Sequence, residues 1–311
     1  MAEIICCVCG RQAVKFIGPR GFCEEHYLTA THHRKGWQTA GLIQVAALVV
    51  FVVLVASLAQ VLGVQFTPTS LLLVGVLLSL APAALWLVFF YRQDLHEPEP
   101  KVMVARVFLL GALLAAALDR PLISGLFQTQ DWLRSDALTH ILGSILVVGF
   151  IQEFLKYAAV RYSVYDSVEY DERTDGVIYA TAAGLGYATV LNVAFVIEGG
   201  GVALGAGVIR IVVTALAHAS FAGVSGYFLG RAKFESEPIW WMPAGLTLAA
   251  VLNGVFFYVR DEVTRGSISV TGGAVNAWTG LALAAVLAAV TTLVVAWLVR
   301  RDLTAVLRRA E

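Results

Sequence analysis

Four cysteines lie within the first 23 residues of this 311-residue chain and none elsewhere. Cys6-Cys7-Val8-Cys9-Gly10 is followed by Gly21-Phe22-Cys23-Glu24-Glu25-His26. Cys6 and Cys9 make a C-x2-C knuckle, and thirteen residues later Cys23 and His26 make a C-x2-H knuckle. Three thiolates and one imidazole at this spacing match tetrahedral zinc, bound at about 2.3 Å by sulfur and about 2.0 Å by nitrogen. A closed Cys3His set keeps no open coordination position, so its expected role is structural or recognitional. Metal binding would supply the folding energy of a module too short to bury a core. Gly10 suits the tight turn after the first knuckle. Cys7 is spare, though it could replace Cys6, and four free thiols in an unstructured tail are the competing reading. His32 and His33 read as linker residues.

A second group of reactive side chains is scattered through strongly apolar sequence. Phe150-Ile151-Gln152-Glu153-Phe154-Leu155-Lys156-Tyr157 carries a carboxylate and an ammonium three residues apart. Asn192 closes the run from Tyr187. Arg210, Thr214 and His218 recur every four residues and so share a helical face. Asn253 precedes Gly254. Ionisable groups within a bilayer are costly and mark functional sites by default. Glu153 and Lys156 could simply pair, with Arg210 joining them. Alternatively the carboxylate, imidazole and amides could line one polar cavity.

The elements that carry these residues follow from composition. The chain is 59% hydrophobic and 14% charged, with a net charge of zero. Soluble domains hold about 25% charged residues, so this is a membrane protein, and a neutral balance gives no reason to expect nucleic acid as a partner. A bilayer core of about 30 Å needs roughly 20 apolar residues of helix. Eight stretches qualify: 41–63, 70–91, 102–122, 139–161, 176–197, 207–230, 240–259 and 274–299. About 40 residues of mixed sequence precede the first, without a secretory signal, so the N-terminus is expected in the cytosol. Fifteen Lys and Arg then fall on cytosolic segments and four on outer loops, which places both termini inside a cytoplasmic membrane. The basic tail from Arg300 suits anionic headgroups, and Trp240 and Trp241 suit an interfacial belt. Ala180, Gly184 and Ala188 form a stripe of small residues for close helix packing.

Counted from the cytosolic ends, Glu153, His218, Asn253 and Asn192 lie at depths of roughly 12–24 Å. They could therefore meet near the middle of the membrane.

At these residues the chain resembles the PrsW family of intramembrane proteases, relatives of the CAAX-processing proteases. Asp94-Leu95-His96-Glu97-Pro98-Glu99-Pro100 looks like the family's acidic D-x-x-E-P-E-P loop. Gln152-Glu153-Phe154-Leu155-Lys156 looks like its E-E-x-x-K motif. Asp175-Gly176-Val177-Ile178-Tyr179, continuing through Gly184-Leu185-Gly186-Tyr187-Ala188 to Asn192, resembles D-G-I-x-Y…G-x-G-F-A-x-x-E-N. Ala217-His218-Ala219-Ser220-Phe221 resembles the histidine motif of the next helix. The likeness covers roughly residues 80–260. Three departures fall on the chemistry: Gln152 and Leu191 stand where the family has glutamates, and Asn253 where it has a second histidine.

The eight apolar stretches make the expected fold an all-α, eight-helix transmembrane bundle. The domains are a zinc-binding module over 1–35, a linker over 36–40 and a PrsW-like transmembrane domain over 41–311. Glu153 and His218 are then the catalytic candidates, with Asn192, Asn253, Lys156 and Gln152 lining the cavity. Catalytic zinc needs three protein ligands and an open position. Glu153 and His218 supply two, so no catalytic metal is expected. Three functions compete. One is an inactive or altered protease homologue that binds a transmembrane partner in its polar cavity. Another is an active protease cutting a single-span substrate, with Glu153 as base, an asparagine on the oxyanion and His218 as proton donor. The last is a solute or lipid pathway lined by Glu153, Arg210 and His218. The zinc module would dock a cytosolic partner or simply cap the bundle. Asp94, His96, Glu97 and Glu99 could hold a cation, or form a solvated turn stiffened by proline.

Overall fold

The computed structural model describes residues 5–6, 9–17, 20–31, 46–48, 50–55, 57, 67–93, 100–201, 206–266, 282, 285–295 and 297–298. Cys7, His32, His33, the acidic loop 94–99 and the basic C-terminal tail lie outside these residues, as does much of the first and last expected spans.

Residues 5–31 form a knuckle, a hairpin and a helix. Gly10 adopts φ 71°, a left-handed conformation that glycine tolerates, and its amide donates to the Cys6 carbonyl at 2.9 Å. The chain then runs through the antiparallel strands β1 (Lys15–Ile17) and β2 (Arg20–Phe22) into helix α1 (Glu24–Thr31).

Among the described residues, six helices are long and apolar enough to cross a membrane: Pro68–Leu87, Lys101–Leu126, Ala137–Arg161, Arg173–Glu198, Gly207–Phe234 and Trp241–Asp261. Among the described residues, two further apolar helices, α2 (Ala46–Val55) and α11 (Ala285–Val295), fall within the first and last expected stretches. Helix α3 is Pro68–Gln93. The next span starts as α4 (Lys101–Leu114) and continues through wide π turns at Ala115–Asp119 and Pro121–Leu126. After the short α5 (Thr129–Trp132), another span is built from α6 (Ala137–Gly143), a π segment at Ser144–Gly149 and α7 (Phe150–Arg161). The remaining long helices are α8 (Arg173–Glu198), α9 (Ala206–Phe234) and α10 (Trp241–Gly266).

Helices α8 and α9 form the centre. The most apolar stretch of α9 has 89% of its residues buried within the protein, against 17% in that of the Lys101–Leu126 span. Their crossing depends on small residues. A Cβ on Gly184 would lie 2.4 Å from the His218 carbonyl oxygen, and one on Gly226 would lie 2.2 Å from that of Gly176. The close packing expected of the Ala180–Gly184–Ala188 stripe is therefore present, with Ala180 against Gly226. Asp175 accepts the backbone amides of Asp171 and Glu172 at 2.8 and 2.6 Å and so closes the start of α8. The Asp175-Gly176 pair thus starts and seats the central helix.

Polar contacts define the two ends. At one, Lys233 donates to the Tyr165 and Tyr170 carbonyls. At the other, Arg120 pairs with Glu198 at 2.6 Å and Arg134 holds Asp261 at 2.9 Å. Near this second end Asp136 caps α6; the Thr139 hydroxyl and amide hold its carboxyl below the usual range.

The span through α7 meets α10 at two further glycines. A Cβ on Gly149 would sit 2.3 Å from the Ala250 carbonyl oxygen, and one on Gly254 2.4 Å from Ile145 Cα. Gly149→Ala is expected to lower the unfolding free energy in detergent by about 1–3 kcal/mol, the usual cost of overpacking. Gly125, with nothing within 4 Å of its Cβ position, is the control, and Gly125→Ala is expected to be nearly neutral. Equal effects in a thermal melt would contradict the close crossing.

Candidate functional site

Two groups of reactive side chains emerge, one in the N-terminal module and one inside the bundle. In the module, one ligand atom from each of Cys6, Cys9, Cys23 and His26 lies within 4.8 Å of all the others. Tetrahedral bonds of about 2.3 Å to sulfur and 2.0 Å to nitrogen place neighbouring sulfurs about 3.8 Å apart, and sulfur and nitrogen about 3.5 Å apart. The Cys9–Cys23 sulfurs are 3.7 Å apart, and His26 Nδ1 lies 3.7 Å from Cys6 Sγ and 3.2 Å from Cys23 Sγ. This donor set fits a metal ion. Cys6 and Cys23 are buried, and Cys9 is exposed.

Inside the bundle the sequence places Glu153 on α7, two turns from its end and so about 12 Å deep. The π segment at Ser144–Gly149 directly precedes α7 and sets the angle at which Gln152, Glu153 and Lys156 enter the interior. The glycine crossing brings Asn253 of α10 against the same turn. Asn253 Nδ2 donates to Glu153 Oε1 at 2.8 Å and to Gln152 Oε1 at 3.2 Å. Lys156 donates to the same carboxylate oxygen and sits 3.1 Å from His218 Nδ1 on α9. With Lys156 as an ammonium, which can only donate, His218 Nδ1 is the acceptor. Glu153 and Lys156 are both 0% exposed. Glu153 Oε2 is buried without a hydrogen-bond partner among the described residues.

The expected convergence of Glu153, Lys156, Gln152, His218 and Asn253 is therefore present. Two expectations are corrected. Asn192 does not join the carboxylate; its Nδ2 donates to the Ile211 carbonyl at 3.0 Å, bridging α8 to α9 more than one turn beyond Tyr187. Arg210 does not join the ion pair; its guanidinium lies 3.6 Å from the centre of the Phe195 ring. Asn192 comes five residues after Tyr187 on α8, and Arg210 eight residues before His218 on α9.

Two members were missed by reading the sequence. Asp119 accepts the Gln152 side-chain amide at 3.0 Å and the Tyr187 hydroxyl, extending the network to the π turn at Ala115–Asp119 within the α4 span. The Tyr187 ring also stands 5.7 Å from the His218 ring. The available signal was an acidic residue inside an otherwise apolar stretch, Ala115-Ala116-Ala117-Leu118-Asp119. Seven side chains from the α4 span, α7, α8, α9 and α10 thus form one buried polar cluster.

A sequence profile described as PrsW family intramembrane metalloprotease matches residues 99–291. The chain belongs to the PrsW family. It is 31% identical over 188 residues to the protein named Protease PrsW of Geobacillus kaustophilus, covering 60% of this chain and 78% of that protein. The Bacillus subtilis protein of the same name is 29% identical over 188 residues, with 60% and 82% covered. No solved structure matches significantly. PrsW membership and the apolar helices make this a multi-pass membrane protein.

The profile's description names a metalloprotease, so the fit of the cluster to a metal is decisive. Among the described residues, only Cys6, Cys9, Cys23 and His26 bring three or more Cys, His, Asp or Glu donors together. In the PrsW-matching bundle, Glu153 and His218 converge instead on Lys156 Nζ, which repels a cation. The intramembrane donor set does not fit a catalytic metal, which takes three protein ligands and an open position.

A buried ion pair broken on one side leaves an uncompensated charge, costing about 3–5 kcal/mol. Lys156→Met and Glu153→Gln are each expected to destabilise by that order in detergent unfolding. The double variant is expected to be more stable than either single one. Additive losses would show that the two side chains do not pair.

Proposed function

We propose that this PrsW-family chain is a divergent homologue that has given up metal-dependent peptide hydrolysis and uses its mid-membrane polar cluster to bind a transmembrane partner. The observation that carries this is the Lys156 ammonium seated between Glu153 and His218. A general base must be free to take a proton from water, and a nearby cation makes a carboxylate a weaker base. Glu153 Oε1 is instead occupied by Lys156 and Asn253. Gln152, Leu191 and Asn253 support the same reading, since each replaces a group that the family resemblance leads one to expect. Catalytic groups act as a unit, so losing several together fits loss of the whole activity. The cluster keeps enough donors and acceptors to hold a polar or kinked segment of a single-span protein, with lipid around the rim.

In this reading the protein resides in the cytoplasmic membrane with both termini in the cytosol, in keeping with its excess of basic residues on those segments. The Cys3His group holds structural zinc, and the module it folds is the surface that meets a cytosolic partner.

One observation favours an active protease with Glu153 as base: the second carboxylate oxygen, Oε2, is free of hydrogen bonds among the described residues and could accept a proton. Purified protein in liposomes, offered single-span peptides, separates the readings. The expected result is no cleavage that disappears in Glu153→Ala or His218→Ala. Cleavage abolished by both substitutions would establish the protease. Restoring Gln152→Glu, Leu191→Glu and Asn253→His together is the positive control for the fold.

A further inference from the structure

Asp119 differs from the charged groups beside it in its surroundings. Glu153 and Lys156 are fully enclosed, whereas Asp119 is only part-buried. It lies on the Lys101–Leu126 span, whose most apolar stretch is the least buried of the six long spans. Ala116, Ala117 and Leu118, in the same π turn, are exposed on the outside of the bundle. The turn therefore sets a carboxylate at the outer edge of the polar cluster.

Both hydrogen bonds that Asp119 accepts, from Gln152 Nε2 and from the Tyr187 hydroxyl, fall on Oδ1. Among the described residues Oδ2 accepts none, and Asp119 makes no contact ion pair. The neighbouring cations are engaged elsewhere. Arg120 pairs with Glu198 at 2.6 Å, and Lys156 is seated between Glu153 and His218. Arg260 of α10 packs 5.5 and 5.4 Å from the ring centres of Phe256 and Phe257. Glu153 Oε2, fully buried, is a second carboxylate oxygen without a donor among the described residues. The cluster thus holds two carboxylates, one ammonium and too few donors. A carboxylate at the edge of a bundle in lipid is unfavourable until a donor or a cation covers it.

Resting on the reading that the cluster binds a transmembrane partner, we infer that Asp119 is the docking point for a membrane-spanning helix that carries a lysine or arginine. Basic side chains bring several donors and no acceptor, which is what Oδ2 lacks. Two donors on Oδ1 suit an ionised carboxylate, which only accepts, and so favour a cation over a neutral group at Oδ2. Ala116 and Ala117 have short side chains that let a second helix come close. A long basic side chain reaches past them to the carboxylate while its methylene stem stays in apolar surroundings. An acidic group on one helix and a basic group on another each stand unsatisfied in hydrocarbon, so pairing relieves both.

The test is energy transfer between the labelled full-length protein and single-span peptides in phosphatidylcholine liposomes, which carry no net charge. The peptides are built of leucine and alanine and differ in one central residue: lysine, leucine or glutamate. Wild type is expected to bind the lysine peptide about tenfold more tightly than the leucine peptide, the scale of one or two intramembrane hydrogen bonds, and the glutamate peptide most weakly. Asp119→Asn keeps the acceptor for Gln152 and Tyr187 but not the charge, and is expected to lose the preference. Asp119→Glu is expected to retain it, and the order of the three peptides on wild type is readable even if the asparagine variant does not fold. Equal binding of the lysine and leucine peptides, binding of none of the three, or an undiminished preference in Asp119→Asn would overturn the inference. Equal binding of the first two would leave the partner-binding reading in place. Gels of the same samples test that reading separately: a lysine peptide preferred by wild type but cut, with cutting lost in Glu153→Ala, would overturn the reading and keep the inference as a rule of substrate choice.

Discussion

A carboxylate and an ammonium buried inside a helical bundle can exist only if each is compensated, because the surrounding lipid offers neither water nor counter-ion. Glu153 and Lys156 compensate each other across one helical turn, and everything close to them is arranged around that pair. Asn253 donates to the carboxylate, and His218 accepts from the ammonium. Gln152 hands the chain of hydrogen bonds on to Asp119, which also takes the Tyr187 hydroxyl. One charged contact thus recruits side chains from five separate helical segments.

Such a cluster holds only if the helices approach closely enough for short side chains to meet. Backbone contacts at Gly149 and Gly254 bring the α7 span onto α10, and Gly184 brings α8 onto the His218 turn of α9. The π segments at Ala115–Asp119 and Ser144–Gly149 end or begin beside cluster residues on the two flanking spans. Widened turns of this kind re-aim the side chains that follow them and recur at functional sites. The outcome is an ammonium in the place where a peptidase metal would need to sit between carboxylate and imidazole. That placement connects the packing of the helices to the loss of metal chemistry proposed for the chain.

Much of this was legible in the residues. Apolar run length marked out the six long spans, and the cysteine spacing foretold the Cys3His group. The scarcity of polar residues in those runs singled out Gln152, Glu153, Lys156, His218 and Asn253 as partners. Asp119 was hidden because it closes an apolar stretch beside Arg120 and Pro121, where it reads as the edge of a span. Tyr187 was hidden because an aromatic in a central helix usually packs. Asn192 and Arg210 were drawn to the cluster by depth and helical face alone. Depth counts residues along an axis, but contact depends on which neighbouring helix a side chain meets, and that follows from crossings that no single-helix pattern encodes. Asn192 met the Ile211 carbonyl and Arg210 the Phe195 ring for that reason.

Metal analysis of the full-length protein decides between an ammonium-filled and a metal-filled cluster. Purified wild type, loaded with zinc and freed of excess, is expected to hold one ion per chain. The variant with Cys6, Cys9 and Cys23 all changed to serine is expected to hold none. A triple-serine protein that still carries a stoichiometric ion, lost only on His218→Ala, would place a metal beside Glu153 and contradict the ammonium in its stead.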